Sequence, residues 1–209
     1  MTHVSSGLRK VLEIPWIYNF FQEAIGANQH RRKHFVTFFG QLKDASVLDI
    51  GCGTGVLLES LSSSVRYFGI DFEEGYLNYA RKKYGAKGVF QAVDLTKSEI
   101  QTSWINSFDA INLHSVLHHL DDETVQRVLS HVHQYLKTGG YVVTCDPVFH
   151  KNQSRLSRYF VSKDRGQNVK TDAQYLAMAR EHFDQIEYHI NEDHAHIPYS
   201  MFIMKMVKT

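Results

Sequence analysis

Val47-Leu48-Asp49-Ile50-Gly51-Cys52-Gly53-Thr54-Gly55 is an apolar run that carries one acid near its end and then turns on three alternating glycines. Three apolar residues around a single Asp read as a buried strand, and an acid at its carboxyl end stands where a ligand can meet it. Glycines are needed after the strand for two reasons. The turn uses backbone angles that other residues avoid, and a side chain would block close approach of the backbone to a ligand. Asp49, Gly51, Cys52, Gly53 and Gly55 are therefore the first candidate binding residues.

Outward from this turn, short apolar runs alternate with longer amphipathic ones. Ser46 to Ile50, Tyr67 to Ile70, Val89 to Val93, Asp109 to Leu113 and Tyr141 to Cys145 read as strands. Val56 to Leu61, Tyr76 to Tyr84 and Glu123 to Leu136 read as the helices between them. Such alternation predicts an α/β fold with a parallel sheet and helices on both faces. After a helix over Asp172 to Phe183, strands at Ile186 to Ile190 and Ser200 to Val207 are separated by only a short polar loop. A parallel crossover needs a dozen or more residues, so this last pair is antiparallel.

Ahead of the sheet, Trp16, Ile17, Phe20, Phe21, Ala24 and Ile25, then Phe35, Phe38 and Phe39, recur at helical spacing and predict an N-terminal helical pair broken near Gly26. The expected organisation is one structural unit. It has a helical cap over residues 1–43 and a main domain over 44–209, in which 147–170 form an excursion placed to act as a substrate lid.

What the glycine turn holds is narrowed by what it lacks. A dinucleotide fingerprint opening at Gly51 or Gly53 would need a third glycine at position 56 or 58, where the chain has Val56 and Leu58. A nicotinamide oxidoreductase is thus disfavoured. The stretch resembles motif I of the class I S-adenosylmethionine-dependent methyltransferases, small-molecule type. The alternation with its final hairpin is similar to their Rossmann-like, doubly wound, seven-stranded sheet from about Asp44 onward. That resemblance implies S-adenosylmethionine as cofactor, S-adenosylhomocysteine as product and methyl transfer as the activity.

It also implies roles for other strand ends. Asp71, with Phe72 beside it, follows the second strand 22 positions after Asp49. A carboxylate there can accept hydrogen bonds from both ribose hydroxyls, as acids do at that place in dinucleotide folds. Asp94 resembles the family's acid that accepts from the adenine amino group, with Leu95 adding backbone and apolar contact. Asp49 would hold the amino end of the methionine moiety. Phe108 to Asp122 resembles the fourth-strand region of the quinone and small-molecule methyltransferases, which puts Leu113 and His114 beside the methyl donor and His118 or His119 on the turn after it. The plainer reading of that turn is that the histidines orient it and that Asp121 or Asp122 caps the next helix.

Methyl transfer from a sulfonium is an in-line displacement with a neutral leaving thioether, so alignment and exclusion of water matter most. An alcohol acceptor also benefits from a base with a pKa near neutrality, which makes His114 or His118 the candidate catalytic residue and O-methylation the expected reaction. Carbon or nitrogen acceptors are the alternative, and an inactive donor-binding scaffold is a further one. Acceptor contacts are expected from Tyr18, Phe21 and Arg32 in the cap, and from Asp146, Arg155, Arg158, Tyr159 and Arg165 in or beside the excursion.

Other features exclude function classes. Lys and Arg number 23 against 22 Asp and Glu, and Arg31, Arg32 and Lys33 form too short a basic run for a nucleic-acid track. Asp146-Pro147-Val148-Phe149 is like the tetrapeptide of base methylases, but it follows the wrong strand. Tyr79 and Lys83 make a dehydrogenase-like pair on the wrong helix. The 13 histidines include His114 and His118 four apart and His189, His194 and His196 near the hairpin, yet no acid or cysteine completes a familiar ligand spacing and no metal is expected. Cys52 and Cys145 suggest no disulfide framework. No apolar stretch is long enough to span a bilayer, and the start lacks the order of a signal peptide. A cytoplasmic monomer or homodimer acting on a small molecule, with no membrane or nucleic-acid partner, is the expectation.

Overall fold

A computed structural model of the chain describes residues 27–209, except 95, 96, 98 and 193–197. The first helix of the expected N-terminal pair, with Tyr18 and Phe21, lies outside the described residues, as do Leu95, His194 and His196. The second is α1, Ala27–Phe39.

Strands β1 (Ser46–Ile50), β2 (Arg66–Asp71), β3 (Val89–Ala92), β4 (Phe108–His114) and β5 (Leu136–Phe149) are parallel. Together with β7 (Gln185–Asn191) and β8 (Met201–Val207), they form a sheet in the order β3-β2-β1-β4-β5-β8-β7. All five residues of β1 are buried, as a central strand covered on both faces requires. β8 runs antiparallel between β5 and β7, in the expected final hairpin. The expected sheet has seven strands, and the structure adds an eighth, β6 (Lys170–Thr171). Beyond Cys145 the long β5 has outrun its partner β4, and β6 pairs with Val148 and Phe149 on the edge thus left.

Helices cover both faces. α1 and α2 (Glu74–Tyr84) pack Phe35, Phe39, Leu77 and Ala80 against Val47, Ala110, Val143 and Cys145. On the other face α3 (Asp122–Tyr135) and α5 (Asp172–Arg180) pack Val125, Val128, Leu129, Tyr175 and Met178 against Ile50, Ile111 and Leu113. Asp121 caps α3 by accepting from the Thr124 N–H at 2.8 Å. Thr171 and Gln174 close a capping box on α5. The excursion is ordered around α4 (Arg155–Ser162), capped by Ser154.

The helix expected over Val56 to Leu61 is instead a 3-10 turn, Val56–Ser60. Ser62 to Ser64 follow at once and β2 begins at Arg66, leaving no length for an α-helix between the two strands.

Candidate functional site

Strand order reverses between β1 and β4, so the crevice of this sheet opens at their carboxyl ends. Three left-handed glycines lie there: Gly51, Gly53 and Gly55 have φ of 69°, 53° and 75°. A Cβ on Gly51 would come within 2.7 Å of the Val116 side chain, and one on Gly55 within about 3.0 Å of Phe90. At Gly53 nothing lies within 4 Å of that position. The first and third glycines thus serve internal packing. The second borders open space where a ligand could approach the backbone.

Two carboxylates lie near this turn, Asp49 in the strand before it and Asp71 bound to the Gly53 N–H. Asp49 is buried, and its oxygens accept from Asn112 Nδ2 and from the Tyr67 hydroxyl, each at 2.7 Å. Burial raises its pKa to about 6; the two hydrogen bonds and the positive charge of Arg31 hold it down, while Asp71 pushes it up. Asp71 accepts from the backbone N–H of Gly53 and of Glu73, each at 2.9 Å. It is thereby tied to the turn it follows in space. Burial raises its pKa, against the pull of those N–H donors. Cys52, by contrast, is a buried thiol whose pKa burial pushes far up, so it is inert packing within the turn.

Phe72 is exposed beside Asp71. Asp94 lies after β3 with its carboxylate 3.2 Å from Lys97 Nζ. Leu113 is fully buried in the core under α3, the face opposite Asp49, so its side chain does not line the crevice as expected. His114 is on the correct face, one alternation beyond Asn112, and packs against the rings of His34 and Phe35 from α1.

His118 has a different setting. It sits on the 3-10 turn Leu117–His119 with Nδ1 2.7 Å from Asp146 Oδ1 and Nε2 3.2 Å from Asp164 Oδ1. Burial alone would lower its pKa, but the hydrogen bonds and charges of the two aspartates lift it to about 9. A doubly held imidazolium has no lone pair to take a proton, which removes His118 from the base role expected of it. Asp146 is likewise turned inward to His118, with its side chain buried, instead of toward an acceptor. Arg32 pairs with Glu59 at 3.2 Å, Tyr159 is exposed on α4 with Lys163 over its ring, and Arg165 follows Asp164 in the excursion. These three come from α1, α4 and the excursion after it, whereas Asp49 and Asp71 stand at the ends of β1 and β2.

Sequence reasoning missed Tyr67, Asn112 and Asp164. An Asn inside the apolar fourth strand was the only signal for the Asp49 donors, since a polar side chain at a core position needs a buried partner.

Residues 48–142 match the family model described as a methyltransferase domain. Phosphoethanolamine N-methyltransferase 1 of Zea mays is 24% identical over 127 residues, 59% of this chain and 25% of that protein. Demethylmenaquinone methyltransferase of Staphylococcus aureus strain MRSA252 is 30% identical over 132 residues, 60% of this chain and 54% of that protein. The chain thus spans between a quarter and about half the length of the curated relatives it matches. Among solved structures, Haemonchus contortus phosphoethanolamine N-methyltransferase 2, in complex with phosphomonomethylethanolamine and S-adenosylhomocysteine, superposes with a TM-score of 0.68 at 19% identity. That match covers 85% of this chain and 52% of that one. A methyltransferase in complex with the Haloferax volcanii Trm112 activator gives 0.71 at 15% identity, covering 95% and 96%. Residues 48–142 are thus similar to a methyltransferase domain, and the chain shares the fold of these methyltransferase structures.

Proposed function

We propose that the protein binds S-adenosylmethionine and transfers its methyl group to a small-molecule acceptor, a hydroxyl first among the candidates. The observation that carries this reading is the open space at Gly53, whose N–H is bound to Asp71, in the turn that follows the strand of Asp49. Asp71 keeps lone pairs for ribose hydroxyls while the Gly53 N–H holds it in place. Asp49, anchored by Tyr67 and Asn112, offers a negative charge to the ammonium of the methionine moiety. Asp94 takes the adenine end, with Leu95 beside it.

During transfer the acceptor oxygen forms a bond to the methyl carbon as the carbon–sulfur bond breaks, its electron pair staying on sulfur to give neutral S-adenosylhomocysteine. The chain's task is alignment and exclusion of water. With His118 held by two aspartates, His114 is the side chain left to deal with the acceptor's proton. Tyr18, Arg32, Tyr159 and Arg165 are assigned to the acceptor side, and residues 147–170 with α1 to a cover over it. A nitrogen or carbon acceptor is the second reading, since one similar protein is named an N-methyltransferase. No helix among the described residues is long and apolar enough to cross a membrane; a cytoplasmic enzyme, monomeric or dimeric and without a nucleic-acid partner, completes the proposal.

The test is calorimetric titration with S-adenosylmethionine, S-adenosylhomocysteine and NADH on the wild type and on Asp71→Ala. Binding of the first two, weakened by roughly tenfold or more when the ribose contacts go, is the expected result. Binding of NADH alone makes the protein an oxidoreductase. Donor binding with no donor consumption across an acceptor screen makes it a scaffold.

A further inference from the structure

The sheet face covered by α1 brings together three side chains that sequence spacing never linked. One ligand atom each from His34, His114 and Cys145 lie within 4.8 Å of one another. His114 and Cys145 are register partners on adjacent parallel strands, so their side chains leave the sheet on the same face. α1 delivers His34 from above, with its ring centroid 5.2 Å from that of His114. His34 and Cys145 are buried and His114 is half-buried, at the end of the strand that borders the crevice.

We propose that these three residues hold a divalent transition-metal ion of the zinc type at the acceptor side of the site, an inference that rests on the methyltransferase reading above. Two imidazoles and one thiolate are a borderline-soft donor set that selects zinc over magnesium or calcium. Three protein ligands leave the fourth tetrahedral position open, the arrangement of catalytic rather than structural zinc. Bonds of about 2.0–2.3 Å put tetrahedral ligand atoms roughly 3.3–3.8 Å apart, so the observed spread closes with small rotations about the side-chain bonds.

The open position takes the oxygen of a hydroxyl-bearing acceptor. Coordination lowers that hydroxyl's pKa, and its proton leaves to solvent. The metal-bound oxygen then supplies the electron pair for the new bond to the methyl carbon, and the donor's carbon–sulfur pair returns to sulfur. His114 acts in this scheme as a ligand, and the ion does the work otherwise asked of a base. Cys145 contributes its sulfur after losing its own proton on ion uptake.

The test uses the full chain, stripped of metal with a chelator and titrated with Co2+ in the absence of any acceptor. The expected result is a single equivalent bound, with the intense visible bands of tetrahedral Co2+ and a near-ultraviolet thiolate charge-transfer band, both displaced by Zn2+. Cys145→Ser is expected to remove the charge-transfer band. His34→Gln, a change near the edge of the fold, is expected to weaken Co2+ binding by roughly tenfold or more, as loss of even an outer-shell partner does in metal sites. Both variants are checked for S-adenosylmethionine binding by calorimetry. Protein that binds the donor but shows no tetrahedral bands overturns the ion site and leaves the methyltransferase reading standing. A charge-transfer band that survives in Cys145→Ser overturns the site as assigned. Co2+ binding without donor binding overturns the methyltransferase reading and with it the acceptor role given to the ion.

Discussion

Asp49 shows how a residue can be legible while its chemistry is not. Its place at the end of an apolar strand before a glycine turn is written in nine consecutive residues. Its ionisation depends on Tyr67 and Asn112, which come from the two flanking strands and reach it only because β2, β1 and β4 are neighbours in the sheet. With burial holding its pKa near 6, Asp49 is charged at neutral pH and becomes neutral in mild acid. On the proposed pairing of Asp49 with the donor's ammonium, which favours the charged form, donor affinity is expected to be complete above about pH 6 and to be lost below it. The expected fall is up to about tenfold per pH unit, the cost of removing one proton on binding. Titration calorimetry with S-adenosylmethionine across this range checks it. Asp49→Asn is expected to bind more weakly with a flat profile, and a wild-type affinity unchanged between about pH 7 and 5 would break the link between this carboxylate and the donor.

At the scale of elements, the Asp146–His118–Asp164 group ties the tail of β5, the turn after β4 and the excursion after α4 into one junction. Tyr199, just ahead of β8, donates to the other oxygen of Asp164. The excursion passes so close that a Cβ on Gly166 would overlap His118, and the Asn168 N–H donates to the His118 carbonyl at 3.0 Å. None of this was readable from spacing, because the partners lie far apart in sequence and one belongs to a segment with no strong periodicity. The pKa of His118 in the folded chain, about 9, lies above its unfolded value of about 6.5. The stabilisation is therefore fully present below about pH 6.5 and fades as pH rises through 9. Its size is on the order of 3 kcal/mol for a shift of that extent. Urea unfolding at about pH 6 and about pH 9.5 is expected to show the loss in the wild type and little pH dependence of this origin in His118→Gln. Equal slopes for the two proteins would mean that the imidazolium contributes nothing.

Over the whole molecule, the parallel core and the closing hairpin were legible because buried strands are apolar and short links force antiparallel pairing. The eighth strand was not, since two residues carry no period of their own and depend on the overrun of β5. The parts outside that core are the ones asked to cover the ligand. α1 rests on the crevice face through Phe35, Phe39 and His34, while α4 packs Ser157 and Val161 inward and leaves Leu156 and Tyr159 exposed. Asp164 fastens the far end of the excursion to His118 and Tyr199. A ligand seated between sheet and cover adds contacts to these two helices, and their amides should exchange more slowly once it binds. Hydrogen exchange with and without S-adenosylmethionine is expected to show added protection in α1 and α4, and little change in β7 at the far edge of the sheet. Unchanged exchange in α1 and α4 alongside calorimetric proof of binding would mean that these helices are fixed packing, and that the acceptor reaches the methyl group by another side of the crevice.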